Sequence, residues 1–176
     1  MLFLLGCAPG ADPLEKGITL RTGLLEGNGC GFFATVTADY NDYLHTFVLQ
    51  CVADSSGAVR FEVIAPDSIS GITGIMTGEE GTLTFDDEVL LFSPLADGQL
   101  APVTGPWVFL KALRSGYLVS CGQTGYGSIL TLDDSYAEDA FRLEVGLDDR
   151  DLPVFAEIYW QGRRILSMRI DNFEIL

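Results

Sequence analysis

One segment restricts the architecture of this chain more than any other. Gly105-Pro106-Trp107-Val108-Phe109-Leu110-Lys111-Ala112-Leu113-Arg114-Ser115-Gly116 reads as a helix. Pro106 suits a first helical turn, where its missing N–H is no loss, and Gly116 suits the stop. Trp107, Val108, Phe109, Leu110, Ala112 and Leu113 cover most of the circumference, and only Lys111, Arg114 and Ser115 are polar. A helix of that kind must be buried on nearly all sides, or must cover an apolar hollow.

The rest of the chain supplies mainly strands. Val59, Phe61 and Val63 alternate with Arg60 and Glu62, and Leu83 and Phe85 alternate with Thr82, Thr84 and Asp86. Phe141, Leu143, Val145 and Leu147 alternate with Arg142, Glu144, Gly146 and Asp148. One apolar face and one wet face is the pattern of an antiparallel sheet. Phe155 to Trp160 and Arg164 to Ile170 flank Gln161-Gly162-Arg163 and read as a hairpin of open register. Leu14, Ile18, Leu20, Leu24 and Leu25 partly fit the face of an N-terminal helix stopped at Asn28-Gly29. The class expected is mostly β of the α+β kind.

The chain has 176 residues, a length that suits one domain with a sizeable core. Its 25 acidic and 10 basic residues give a formal charge of −15, with Lys16 and Lys111 the only lysines. That balance argues against nucleic acid, whose phosphates need a basic face, and against electrostatic docking onto anionic lipid. Yet 48% of residues are apolar. A large core accommodates this, and so does a core with an internal apolar cavity.

The chain opens with Met1-Leu2-Phe3-Leu4-Leu5-Gly6-Cys7, an apolar run ending in Leu4-Leu5-Gly6 before a cysteine. This looks like a bacterial lipobox, in which the cysteine is acylated and becomes the first mature residue. The run is far short of the ~20 apolar residues that span a bilayer. It also lacks the positive segment of a full signal peptide. Residues 1–6 are therefore read as a truncated signal-peptide remnant, and 7–13 as a lipidated cysteine with a short linker. Residues 14–176 form the expected domain. It would work outside the cytoplasm, anchored close to the cell membrane as a lipoprotein.

Beyond Cys7 there are Cys30, Cys51 and Cys121. Cys30 and Cys51 are equidistant from the centre of the turn-type cluster Asp39-Tyr40-Asn41-Asp42. A hairpin folded there sets them opposite each other, at a spacing a disulfide accepts. In an oxidising compartment that bond is expected; the alternative is two buried thiols. Cys121 reads as a small core residue.

Chemistry is hard to find. His45 is the single histidine and there is no Cys-x-x-Cys pair, so a zinc site of nitrogen and sulfur ligands is not expected. Asp67-Ser68-Ile69-Ser70-Gly71 does not fit a nucleophile elbow. Gly122-Gln123-Thr124-Gly125-Tyr126-Gly127 has no lysine, and reads as a hairpin turn rather than a phosphate loop. The carboxylate pairs Glu79-Glu80, Asp86-Asp87, Asp133-Asp134 and Asp148-Asp149 each fall at a turn, where solvated turn residues are the plain reading. No catalytic residue, metal or cofactor is expected, and the protein is read as non-enzymatic.

The chain resembles the LolA/LolB-like lipoprotein-carrier superfamily in its form among lipoproteins of monoderm bacteria. The resemblance rests on Leu4-Leu5-Gly6-Cys7, on Thr37-Ala38-Asp39-Tyr40 and on Ala65-Pro66-Asp67-Ser68-Ile69-Ser70-Gly71-Ile72-Thr73-Gly74. It rests also on Leu100-Ala101-Pro102-Val103, Leu152-Pro153-Val154-Phe155-Ala156-Glu157-Ile158 and Ile170-Asp171-Asn172-Phe173. It implies an incomplete antiparallel β-barrel closed on its concave face by one or two helices, with an apolar cavity that takes acyl chains. By role it makes Leu20, Leu24, Trp107, Phe109, Leu110 and Leu113 lid residues, and Phe61, Val63, Leu83, Phe85, Val145 and Leu166 the inner wall. The family's carrier is soluble and shuttles, whereas this chain carries an anchor sequence, so shuttling is not implied. Two functions follow as expectations. One is a membrane-anchored binder of a lipid or other apolar ligand. The other is an anchored module that binds and regulates an envelope or spore-cortex enzyme.

Overall fold

The structure is a computed structural model that describes residues 12–39, 44–78, 80–85, 88–93, 95–96, 99–125 and 127–176. Cys7 and its linker, and the pair Asp86-Asp87, lie outside them. Helix α1 (Pro13–Glu26) opens on Asp12, whose side chain accepts the Leu14 N–H at 3.0 Å. It is followed by β1 (Gly29–Asp39), β2 (Leu44–Asp54), β3 (Val59–Ala65), β4 (Thr73–Thr77), β5 (Glu80–Phe85) and β6 (Glu88–Phe92). The short β7 (Leu95–Ala96) and β8 (Gln99–Leu100) pair with each other ahead of α2 (Gly105–Ser115). Then come β9 (Tyr117–Thr124), β10 (Gly127–Asp133), β11 (Arg142–Leu147), β12 (Pro153–Trp160) and β13 (Arg163–Ile175).

Eleven strands make one antiparallel sheet in the order β6-β5-β4-β3-β2-β1-β13-β12-β11-β10-β9. Two meanders are thus zipped together along β1 and β13. The sheet does not close, and β6 and β9 are its outer strands among the described residues. This topology explains the apolar helix. The chain leaves the sheet at one edge, at Phe92, and re-enters it at the other, at Tyr117. Helix α2 lies on that crossing, and it is swallowed by the concave face: Trp107, Val108, Phe109, Leu110, Ala112 and Leu113 are all buried. Phe109 sits edge-on to Phe32 at 5.9 Å and to Phe173 at 6.4 Å, an arrangement that aromatic quadrupoles favour.

The period-2 expectation holds strand by strand. Val59, Phe61 and Val63 on β3 face inward, as do Leu143, Val145 and Leu147 on β11. The last hairpin turns on Gln161 and Gly162, both with positive φ, which is what a two-residue turn between twisted strands requires. Helix α1 buries only Leu20 and Leu24; Leu14, Ile18 and Leu25 stay exposed, so its expected apolar face is two residues wide.

The Cys30–Cys51 expectation needs correction. Both residues are buried on neighbouring strands, but Cys30 opposes Ala53 and Cys51 opposes Phe32, and both thiols are free. The pairing of Asp39 with Leu44 sets the hairpin centre one position beyond that implied by the turn cluster. In an antiparallel pair that moves the register by two, turning an opposed pair into a diagonal one. Burial pushes both thiols up, Cys30 to about 12 with some relief from Arg114, so both are held as neutral S–H.

Two arginines that the sequence did not single out hold the helices together. Arg21 of α1 donates to the carbonyls of Leu113 (2.7 Å), Ala112 (3.3 Å) and Gly116 (2.8 Å) at the C-terminal end of α2. Arg114 of α2 donates in return to Leu24 O near the end of α1 (3.3 Å) and to Ser55 O in the β2–β3 turn (2.6 Å). Each cation thus serves carbonyls at the other helix's C-terminal end, the negative end of the dipole; of those met by Arg21, Ala112 O accepts also from the Gly116 N–H that caps the helix.

Candidate functional site

The helices cover the concave face over most of the sheet, and their cover ends at β4–β6. Register defines which side chains face inward there. Phe61 opposes Gly74, Gly74 opposes Leu83, and Leu83 opposes Leu90, so all four lie on the inner face. Two residues along, Phe85 joins them, and Phe92 faces inward opposite Gly81 and beside Met76. A Cβ at Gly81 would overlap the Phe92 ring and the Met76 sulfur, so the ring lies directly on glycine backbone. On this inner surface Phe85 is 52% exposed and Leu90 62%, where Phe109 and Val145 in the covered part are 0% exposed. Leu83, Phe92, Ile69 and Ile72 are half-buried and join the patch to the core. The outer face of β6 is apolar too, with Val89 65% and Leu91 72% exposed. A β6 edge carrying apolar side chains on both faces is an unusual surface for a water-facing strand.

The expected lid and wall residues divide among three environments. Leu20, Leu24, Phe109, Leu110, Leu113, Phe61, Val63, Val145 and Leu166 are enclosed core side chains packed on one another. The space beneath Leu110 is filled, because these side chains leave no accessible surface for a ligand to touch. Leu83 and Phe85 reach the uncovered patch. Trp107 stands at the rim of a separate recess of about 470 Å³, lined also by Leu25, Gly57, Ala58, Thr77 and Lys111. The Lys111 ammonium is 5.3 Å from the Trp107 ring and 3.2 Å from Asp134, so it is already engaged. A third depression, of about 420 Å³, runs over the outer face of β2–β5 between Gln50, Arg60, Glu62, Thr73, Ile75 and Thr84.

In sequence, the stretch that supplies β4–β6 is one-sided in charge. Residues 61–110 include eight carboxylates (Glu62, Asp67, Glu79, Glu80, Asp86, Asp87, Glu88 and Asp97) and no lysine, arginine or histidine. By contrast, Asp133 and Asp148 in the opposite half are each met by an arginine. Asp133 takes both Arg142 N–H groups at 2.8 and 2.9 Å, and these bonds hold its carboxyl below the usual range. Asp148 is pushed up by burial. Backbone N–H bonds from Leu152 and Arg150, and the Arg150 guanidinium, outweigh that and leave it lowered. Asp54, at the β2–β3 turn, is lowered mainly by the Ser56 hydroxyl.

No reactive constellation assembles among the described residues. His45 lies exposed on β2 with its ring 6.4 Å from Phe47. Cys121, on β9 opposite Leu130, packs against the edge of the core. No three His, Cys, Asp or Glu side chains are grouped as metal ligands among the described residues. No described helix is long and apolar enough to cross a membrane. The sequence reading missed strand β6. Its signal was present in Glu88-Val89-Leu90-Leu91-Phe92, an apolar run without alternation following the acidic pair Asp86-Asp87.

An open antiparallel half barrel with its concave face lined by two helices is the architecture implied by the LolA-like resemblance. Solved structures of similar fold include an uncharacterized conserved protein from Thermus thermophilus, at TM-score 0.49 and 14% identity, covering 93% of this chain and 85% of that one. They also include a LolA superfamily protein from Nitrosomonas europaea, at TM-score 0.49 and 11% identity, covering 95% and 94%. A third is the Mycobacterium tuberculosis lipoprotein LppX, at TM-score 0.43 and 11% identity, covering 92% and 94%. No family model matches the sequence, and no curated protein matches it.

Proposed function

We propose that this chain is a non-enzymatic, extracytoplasmic binding protein, anchored to its membrane through Cys7, which holds an acyl chain or similar apolar ligand at the uncovered end of its half barrel. The observation that carries this reading is the exposure of Phe85 and Leu90 on the concave face, beyond the reach of either helix. The ligand would lie along Leu83, Phe85, Leu90 and Phe92 rather than beneath α2, where Phe109 and Leu110 fill the space. Its binding energy would come from apolar surface removed from water, at about 25 cal/mol per Å², less the cost of immobilising the ligand. The absence of basic side chains over residues 61–110 suits a neutral or cationic apolar ligand better than an anionic one.

The test is equilibrium binding of a fluorescent monoacylglycerol to the purified chain and to Phe85→Glu and Leu90→Glu. The reading expects saturable binding that falls on the order of tenfold or more in each variant, since the acyl chain must then either bury an unpaired carboxylate or give up that part of the surface. Binding unaffected by both substitutions would exclude this site. A second reading, the envelope protein partner, is favoured by a different feature, the backbone edge of β6, which has β5 as its one sheet neighbour among the described residues.

A further inference from the structure

We infer that the outer edge of β6 receives an extended strand from a partner protein, one whose apolar stretch is framed by lysine or arginine. This goes beyond the proposal of an apolar ligand and does not rest on it. It uses the backbone edge and the outer face of β6, whereas the ligand would use the inner face.

Three observations on the molecule converge here. First, β6 pairs only with β5 among the described strands, so one full row of its N–H and C=O groups is turned outward. Proteins blunt such edges with a lysine, a proline, a bulge or a covering segment. Glu88–Phe92 contains no lysine or proline, and its five pairings to β5 run without a bulge. Second, Val89 and Leu91 project from the outer face, and each is more than half exposed. An added strand would cover both of them while pairing with the backbone row, as in the recognition mode where main-chain bonds give affinity and alternate side chains give specificity. Third, the charge is complementary to a cationic partner. Glu88 begins β6 with its side chain on the inner face opposite Phe85, and Glu80 begins β5 on the outer face, on the row just beyond Phe92, so a carboxylate stands at each end of the strand. No basic residue occurs from 61 to 110 to neutralise them. A strand with lysine or arginine at both ends of an apolar core places opposite charge at both ends of β6.

The same charge argues against a second copy of this chain as the occupant. Two β6 edges brought together carry the same uncompensated carboxylates, and like charges across paired strands oppose association. The opposite edge strand, β9, differs: its exposed apolar residues, Tyr117 and Val119, flank a break in register against β10, and beyond it Ser120, Gly122 and Thr124 are the outward positions.

The probe is a labelled, end-blocked peptide, Lys-Lys-Val-Leu-Val-Leu-Val-Lys-Lys, titrated with the whole chain and followed by fluorescence anisotropy. Three comparisons accompany it. One replaces lysine by glutamate, one N-methylates alternate backbone nitrogens, and one uses the Val89→Lys, Leu91→Lys double variant of the protein. The inference expects saturable binding of the lysine peptide, weakened by salt. It expects affinity to fall on the order of tenfold or more in each of the three comparisons. Monoacylglycerol binding measured in parallel should survive in the double variant, because Phe85 and Leu90 are untouched, and circular dichroism checks that its fold is intact. Equal binding of the N-methylated peptide would show apolar adhesion without strand pairing and would overturn the inference. So would absence of binding, or a salt-insensitive dimer of the chain that Val89→Lys, Leu91→Lys dissolves.

Discussion

The two ends of this half barrel are built from similar residues and put to different use. Around β10–β13 the inward apolar side chains Leu130, Leu143, Val145, Ile158 and Leu166 are all buried, and Arg21 and Arg114 tie the two helices to each other and to the β2–β3 turn. At β4–β6 inward leucine and phenylalanine meet water. The sheet alternates in both places, so alternation alone does not decide which part is core. What decides is the path of the chain between the two sheet edges. Helix α2 is too short, at 11 residues, to line all eleven strands, and the strands nearest its point of departure are left uncovered.

That contrast predicts unequal responses to truncation. Phe109→Ala removes a fully enclosed ring and should cost about 3–5 kcal/mol in urea unfolding. Phe85→Ala, at the uncovered end, should cost less than about 1 kcal/mol and act on ligand binding instead. Equal costs would dissolve the distinction between the two ends.

The helix latch comes next in size. Arg21→Met keeps much of the aliphatic stem but takes their donor from the carbonyls of Leu113 and Gly116, at a cost of about 1–3 kcal/mol. Arg114→Met should behave alike. Combined, the two should depart from additivity, because both act on one helix–helix junction. A sum of independent effects would mean that the arginines do not act as a unit.

The thiols sharpen the contrast by rate. In a Cys7→Ser background, Cys121 at the edge strand should react with a thiol reagent in the native state. Cys30 and Cys51 should be modified only as the chain unfolds, since burial holds both as neutral S–H. Mass spectrometry after alkylation without reductant checks both points. A Cys30–Cys51 disulfide there would contradict the diagonal register.

The smallest effect is that of acid. Asp133 has a folded carboxyl held below its ordinary value, so its contribution is fully present above about pH 4 and fades as pH falls through the depressed value. Asp133→Asn should therefore cost no more than about 1 kcal/mol at pH 7 and next to nothing at about pH 2. A cost that grew as the pH fell would reverse the sign and refute the Arg142 pairing as its source.

Much of the fold could be read from the residues. The apolar helix, its Pro106 and Gly116 boundaries, the β3 and β11 alternation and the final hairpin all depend on local pattern, and local pattern survives into the structure. The site was only partly readable. Alternation sets Leu83 and Phe85 on one face of a strand, and the family resemblance makes that face the inner wall, but neither says what lies opposite. Phe61, Val63, Val145 and Leu166 share that pattern and prove to be solid core. The cysteine register failed by a single position in the turn centre, an offset that turn composition does not resolve. Arg21 finds the Leu113 carbonyl across 92 residues of sequence, and Arg114 finds that of Ser55 across 59. At such separations periodicity carries no information.

The most direct test of the account is methyl NMR of the leucine-labelled chain titrated with an acyl ligand such as monoolein. The account predicts saturating shifts at Leu83 and Leu90, with Leu24, Leu110 and Leu113 unmoved beneath the latched helices. Shifts centred on Leu110 and Leu113, with Leu90 unchanged, would place the ligand under α2 and contradict it.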